Sequence, residues 1–300
     1  MFTAKELLTI PKLRIFTLLC LLFLPILVRA QGVTTATIDQ ALGRSGQTTG
    51  GVYKVGFPRT DLHVSVNGLA IKPGLALGSS AAYLGNDDNA MVMRDLVLLE
   101  EELNPVMAKL RSSGFEMTAV HNHLTDETPK VLYLHYMGHG PAAQLAASLR
   151  AALADSKTAL DKPAAASQEP APPAWVNSVE DGGGRKGTFK GGVLSFGVPR
   201  SDTVTMAGMT SAPAAGAGEA IDFQAADSGN VATTGDFVLT ADEVNPVLTE
   251  LQDHHILVTA LHSHMVTEQP RLFFMHFWCV GSSESVGAGI RAALSHVAVK

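Results

Sequence analysis

The sequence predicts an α+β protein made of two tandem repeats of a small domain, each with a mainly antiparallel sheet and two helices. Three observations lead there. The same set of polar landmarks occurs twice, 141 residues apart. Within each copy, strand-like and helix-like runs mix without the strict alternation of a parallel α/β chain. Between the copies lies a stretch too rich in alanine and proline to build a core of its own.

The elements follow in order. Residues 1–30 read as a secretory signal peptide. Lys5, Lys12 and Arg14 give a positive start, Ile15 to Val28 an apolar run, and Val28-Arg29-Ala30 a small-residue cleavage site. The run is short for a bilayer span. Cys20 raises the alternative of a lipoprotein, but Leu19 precedes it where a lipobox takes a small residue. The first repeat domain is assigned to 31–154, an Ala/Pro-rich linker to 155–174 and the second repeat domain to 175–300. Residues 51–57 and 62–67 read as strands around a Pro-Arg-Thr-Asp turn, followed by a Gly-rich segment and a strand from Met91 to Leu98. Asn104-Pro105 offers a helix start, with Gly114 as its end. Glu116 to Leu124 and Lys130 to Met137 form a hairpin, and Ala142 to Leu153 closes the unit as a helix. In the second copy, Thr240-Ala-Asp-Glu243 matches a capping box and would begin the equivalent helix earlier.

Charge and cysteine content narrow the function classes. Removing residues 1–30 takes away four basic residues and one acidic residue, leaving 18 against 27, a net charge of −9. No Lys/Arg cluster remains to follow a phosphate backbone, so nucleic acid is not an expected partner. No membrane span is expected after signal cleavage, and the protein is read as periplasmic or secreted. Cys279 is the sole cysteine beyond residue 30, which excludes an internal disulfide in the processed chain.

The chemistry sits in the repeated hairpin. His121-x-His123-x3-Glu127-x-Pro129-x5-His135 recurs as His262-x-His264-x3-Glu268-x-Pro270-x5-His276. Apolar neighbours have drifted between the copies, Tyr133 against Phe274 and Leu134 against Met275, while the histidines, glutamate and proline have not. Alternate strand residues share a face. An odd-numbered turn centred on residue 128 would set His121 directly opposite His135, with Cβ atoms about 4.5–5.5 Å apart. Three imidazoles on one face suit a divalent metal, zinc first, with His121, His123 and His135 holding one ion and His262, His264 and His276 another. Glu127 and Glu268 are the candidate catalytic groups, as a general base beside a metal-bound water, a fourth ligand or an anchor for an imidazole. The competing reading makes these histidines structural, hydrogen-bonded to backbone or set against Tyr133 and Trp278. His63, His139, His254, His255 and His296 are unmatched between the copies and are left out of the site. Arg59-Thr-Asp61 and Arg200-Ser-Asp202 read as structural turns, Glu102 and Glu243 as helix-start residues, and Asp95 and Asp236 as loop acids.

Taken together, the Phe/Val-Pro-Arg-Thr/Ser-Asp turn, the Glu-x-Asn-Pro-Val helix start and the histidine hairpin resemble the LppY/LpqO family of exported bacterial proteins, over nearly all of residues 34–297. That resemblance implies export and a duplicated domain, and no reaction. The His-x-His-x3-Glu core also looks like a first cupin motif, without its framing glycines. The histidine spacing is similar to the zinc hairpin of the acetolactate decarboxylase group, which is an analogy only. Two functional classes stand open: a metal-dependent hydrolase or lyase acting on a small-molecule ligand, and a non-catalytic periplasmic binding or scaffold module with structural histidines.

Overall fold

The computed structural model describes residues 32–161 and 171–300. The signal-peptide reading of residues 1–30 and the middle of the 155–174 linker lie outside the described residues. Each repeat is an α+β unit around a six-stranded antiparallel sheet. In the first repeat the strands are β1 (Gln47–Thr49), β2 (Val52–Pro58), β3 (Gly78–Gly85), β4 (Ala90–Leu99), β5 (Glu116–His121) and β6 (Val131–Gly140), ordered β1-β2-β3-β4-β6-β5. The second repeat has the same order, β7-β8-β9-β10-β12-β11, with β7 (Thr188–Lys190), β8 (Val193–Pro199), β9 (Gly218–Ala225), β10 (Asn230–Leu239), β11 (Leu257–His262) and β12 (Phe273–Ser282).

Both helices expected in each repeat are present: α2 (Glu100–Ser112) and α3 (Ala142–Leu153) in the first, α5 (Ala241–Asp253) and α6 (Ser283–Leu294) in the second. A third helix opens each repeat, α1 (Thr35–Leu42) and α4 (Ala174–Gly183). These are short, and their apolar faces rest on few residues, with Ile38 and Leu42 buried in one and Val176 and Val179 in the other. The helix start expected at Asn104-Pro105 is corrected. Helix α2 begins at Glu100 and contains Pro105 in its second turn, matching the capping-box register of the second copy. Glu102 accepts the Leu99 N–H at 2.9 Å and Glu243 accepts the Thr240 N–H at 2.7 Å. The Gly-rich segments, unassigned from sequence, contain the central strands β3 and β9.

Strand alternation then gives each sheet two different apolar faces. Tyr53, Val55, Phe57, Leu96, Leu98, Leu134 and Tyr136 pack under the first repeat's helices. Phe196, Ile221, Phe223, Phe237, Leu239, Met275 and Phe277 do the same in the second. The opposite faces meet each other. Met91, Met93 and Met137 cluster with Val238, Met265 and Phe274, while Val97, Val131 and Tyr133 cluster with Val193, Ala232 and Trp278. The repeats are therefore stacked sheet against sheet, with helices outside. Gln224 ties the layers at one edge, accepting from the Lys72 N–H at 2.8 Å and donating to the Ala70 carbonyl at 2.9 Å. Among the described residues no helix is long and apolar enough to cross a membrane.

The repeated Pro-Arg turns brace each unit. Arg59 is fully buried and donates to Asp61, to the Val97 carbonyl at 2.7 Å and to both Glu102 oxygens at 2.7 and 3.0 Å. Arg200 makes the equivalent bonds to Asp202, the Val238 carbonyl and Glu243. Burial by itself raises the Glu102 carboxyl, but its bonds from Arg59, Lys157 N–H and Leu99 N–H outweigh that and leave it below the usual range. Removing one partner of such a pair strands the other in the interior. Arg59→Leu should therefore cost about 3–5 kcal/mol in chemical denaturation. A carboxyl with a lowered folded-state pKa favours folding fully above its unfolded value, near pH 4. That contribution is lost as pH falls through the folded value, so stability should drop on acidification below about pH 4, and Arg59→Leu should flatten that slope.

Candidate metal centre

The histidines of both hairpins converge between the two sheets. On β6 and β12 they occupy the inner face by alternation: Val131, Tyr133 and His135 point inward on one strand, Phe274, His276 and Trp278 on the other. Strand register pairs Asp95 with His135 and Asp236 with His276, so each inner-face histidine has an aspartate beside it on the neighbouring strand. Asp95 and Asp236, read as loop acids from sequence, are thus mid-strand residues of the site. Their signal was available, since both recur at the same 141-residue offset as the histidines.

The expected hairpin geometry is corrected in one respect. His121 lies opposite Tyr133, and His135 lies opposite Ala119, after an irregularity between Met117 and Ala119. The turn is centred on residue 127, so His121 and His135 are diagonal neighbours on one face. In the second repeat His262 lies opposite Phe274 and His276 opposite Ala260. His123 and His264 fall just past their strands and meet the inward rings, His123 stacked on Tyr133 at 3.5 Å and His264 tilted against Phe274 at 3.4 Å between ring centres.

The six rings then pair across the repeats. His121 and His262 are 3.7 Å apart, His123 and His276 3.8 Å, and His135 and His264 3.8 Å, between ring centres. Exchanging the repeats carries the His123·His276 pair onto His264·His135, so the cluster has an approximate two-fold relation with His121 and His262 at its middle. His262 Nε2 lies 2.8 Å from His276 Nε2, and His264 Nδ1 lies 3.0 Å from His135 Nε2. Asp236 Oδ1 lies 2.6 Å from His276 Nδ1.

Among the described residues, three donor sets have ligating atoms within 4.8 Å of one another: His121, His123 and His135; His121, His262 and His264; and His123, Asp236 and His276. The first is the trio expected from the first repeat. In the second repeat the residues divide, His262 and His264 joining His121 while His276 joins His123 and Asp236. His121 Nε2, His123 Nε2 and His262 Nδ1 are buried without a hydrogen-bond partner.

Glu127 and Glu268 belong to none of these sets. Both are buried at the turns, where Glu127 pairs with Val66 in a small three-stranded sheet and neither of its oxygens has a hydrogen-bond partner. Glu268 accepts from the Leu272 N–H at 3.1 Å, and its Oε2 is unpartnered. Burial first, then Asp95, Asp236 and Glu127, push the Tyr133 phenol far up, so Glu127 acts electrostatically on the ring that carries His123.

Beside the histidines runs a cleft of about 590 Å³ between the sheets, lined in part by Lys54, Arg94, Asp95, Asp222 and Asp236. Lys54, Arg94 and Asp222 were missed in the sequence because each is unmatched: Ser195, Gly235 and Ala82 stand at their counterpart positions. A reading keyed to repeated residues passes over them.

The comparisons with known proteins fit a duplicated domain. The family model described as Domain of Unknown Function (DUF1259) matches residues 36–155 and again 177–296. No curated protein matches the chain. One solved structure that it is similar to, the crystal structure of a trimeric bacterial microcompartment shell protein PduB, shares 10% identity over 84% of this chain and 89% of that one, at a TM-score of 0.20 that carries no argument.

The histidine environment makes a testable demand on pH. Burial first, then His262 and His276, lower His121 to about 3, and burial and His276 lower His262 to about 4. The unfolded chain protonates its histidines near pH 6.5. Below that value it binds more protons than the folded chain, so folding is favoured fully above about pH 6.5 and weakens toward pH 4. With metal removed by EDTA, the urea midpoint should fall between pH 7 and pH 5, and His121→Gln with His262→Gln should lessen the fall. An equal fall in wild type and variant would show that these rings are not its source.

Proposed function

We propose a function from the site alone, because the chain belongs to the Domain of Unknown Function (DUF1259) family, in two tandem copies, and that family carries no assigned activity. In this reading the six histidines and Asp236 bind divalent metal, zinc first, at a centre shared by both repeats. The observation that carries it is the set of buried imidazole nitrogens, on His121, His123 and His262, that lack hydrogen-bond partners within donor sets spanning less than 4.8 Å. Buried polar atoms are nearly always paired, and an unpaired one calls for an explanation such as an ion. Burial also holds His121, His123, His135, His262 and His264 in the neutral form that ligates metal. Neutral imidazole with carboxylate is a donor set that zinc accepts.

A bound ion there would supply a Lewis acid or an activated water. The reaction classes this supports are metal-assisted hydrolysis and lyase chemistry on a small oxygenated substrate. Glu127 and Glu268 are assigned proton transfer, on the ground that each keeps at least one buried carboxylate oxygen free of other bonds. We also read residues 1–30 as an export signal and the protein as periplasmic or secreted, in keeping with its motif resemblance to the LppY/LpqO family.

Elemental analysis of the purified protein after mild dialysis tests the metal. At least one equivalent of a transition metal is expected, and His123→Ala with His276→Ala should remove most of it. Trace metal, unchanged by that double substitution, defeats the reading. Glu127→Gln and Glu268→Gln should retain the metal and abolish turnover of a substrate found by screening. Full activity in both, singly and combined, would remove the glutamates from the mechanism.

A further inference from the structure

The cleft beside the histidines carries two cations that the fold leaves without a counter-ion. Among the described residues, neither the Lys54 nor the Arg94 side chain makes a hydrogen bond or an ion pair within 4.0 Å, and Arg94 Nε is buried without a partner. Both line the same cleft and sit beside the histidine centre, which His135 and His264 contribute to its wall.

The backbone at Arg94 is unusual in a way that places this side chain. Alternation along β4 sends Val92 and Leu96 to the helix-packed face, and position 94 should follow them. Instead the Arg94 side chain lines the cleft between the sheets, and its φ is +146°, in the region that favours glycine. The second repeat has Gly235 at this position, where an added Cβ would meet the Ala220 carbonyl oxygen at 2.0 Å. Gly235 itself lies outside the positive-φ region, so the strained backbone is particular to the copy that carries the arginine. Strain held at a cleft-lining residue points to a use for the side chain.

The neighbouring carboxylates do not neutralise the pair. Asp236 is engaged with His276 at 2.6 Å. Asp222 accepts from the Ser195 hydroxyl, and burial pushes it up to about 7, so it is partly protonated at neutral pH. Asp95 and Glu219 complete the carboxylates that line the cleft, and burial raises both. The balance shows at Lys54: Arg94 first, then burial, draw its ammonium down to about 8 against the pull of Asp95 and Asp222.

We propose that Lys54 and Arg94 form an oxyanion subsite in the cleft between the repeats, taking the carboxylate or phosphate group of a small molecule whose remainder reaches the histidine centre. A volume of about 590 Å³ holds a ligand of that size. Arginine beside lysine is a donor set suited to either group. That the ligand is the substrate of the histidine centre rests on the metal reading above; the anion binding itself does not.

Isothermal titration calorimetry tests it, with inorganic phosphate in one arm and malonate in the other, on the purified protein as isolated and after EDTA treatment. Binding of at least one anion is expected in both forms, and the arm that binds identifies the group. Arg94→Gly removes the guanidinium and places at this positive φ the residue that adopts it most freely, so the fold should be kept while affinity falls at least tenfold. Lys54→Met should give a similar loss. No binding of either anion to wild type, or affinities within twofold of wild type in the double variant, would overturn the subsite. Anion binding that is intact in a protein without stoichiometric metal would defeat the metal reading and leave the subsite standing. Stoichiometric metal without anion binding would do the reverse.

Discussion

The structure depends on the burial of both faces of each sheet. A lone repeat would hide one face beneath its helices and expose the other, with Met91, Met93 and Tyr133 or Met275's neighbours Phe274 and Trp278 open to water. Stacking sheet against sheet removes that apolar surface, and apolar burial is the dominant favourable term in folding. The same stacking forces six imidazoles and two aspartates into the interior, where polar groups are costly unless paired. Part of that cost is offset by contacts between histidines of different repeats. The rest is concentrated at a few imidazole nitrogens and at the cleft, which is where the chemistry lies.

This dependence explains what could be read from the sequence. The hairpin, the closing helix Ala142–Leu153 and the antiparallel character of the sheet rest on local periodicity and on turn residues, so they were legible. The histidines and glutamates were legible because they recur in register. The shared core was not. Val52, Met93 or Phe274 looks like any inward strand residue, and nothing in its spacing says whether a helix or a second sheet covers it. The Ala/Pro-rich stretch suggested two separate domains, whereas Gln224 of one repeat bonds Ala70 and Lys72 of the other. With the repeats apart in thought, each histidine trio was assigned its own ion. The stacked sheets instead divide the second trio between partners in both repeats. Asp95 and Asp236 were undervalued for a related reason, because their role is fixed by the register of β4 against β6 and of β10 against β12, a non-local property.

Duplication within one chain has a consequence that a pair of identical subunits would not share. An isologous dimer presents the same residue on both sides of its axis. Here the two sides have separate codons, and the site uses that freedom unevenly. The histidine rings keep the two-fold relation: His121 faces His262, and the His123·His276 pair mirrors His264·His135. The lining of the cleft departs from it. Lys54 stands against Ser195, Arg94 against Gly235 and Asp222 against Ala82. A symmetric centre would offer any ligand two equivalent orientations. Charges placed on one side alone remove that equivalence, since a ligand with one anionic end is then held one way round. The departures from symmetry therefore carry information that the repeated motif, by its nature, lacks. The motif marks where chemistry can occur, and the unmatched residues bias what is presented to it and in which direction.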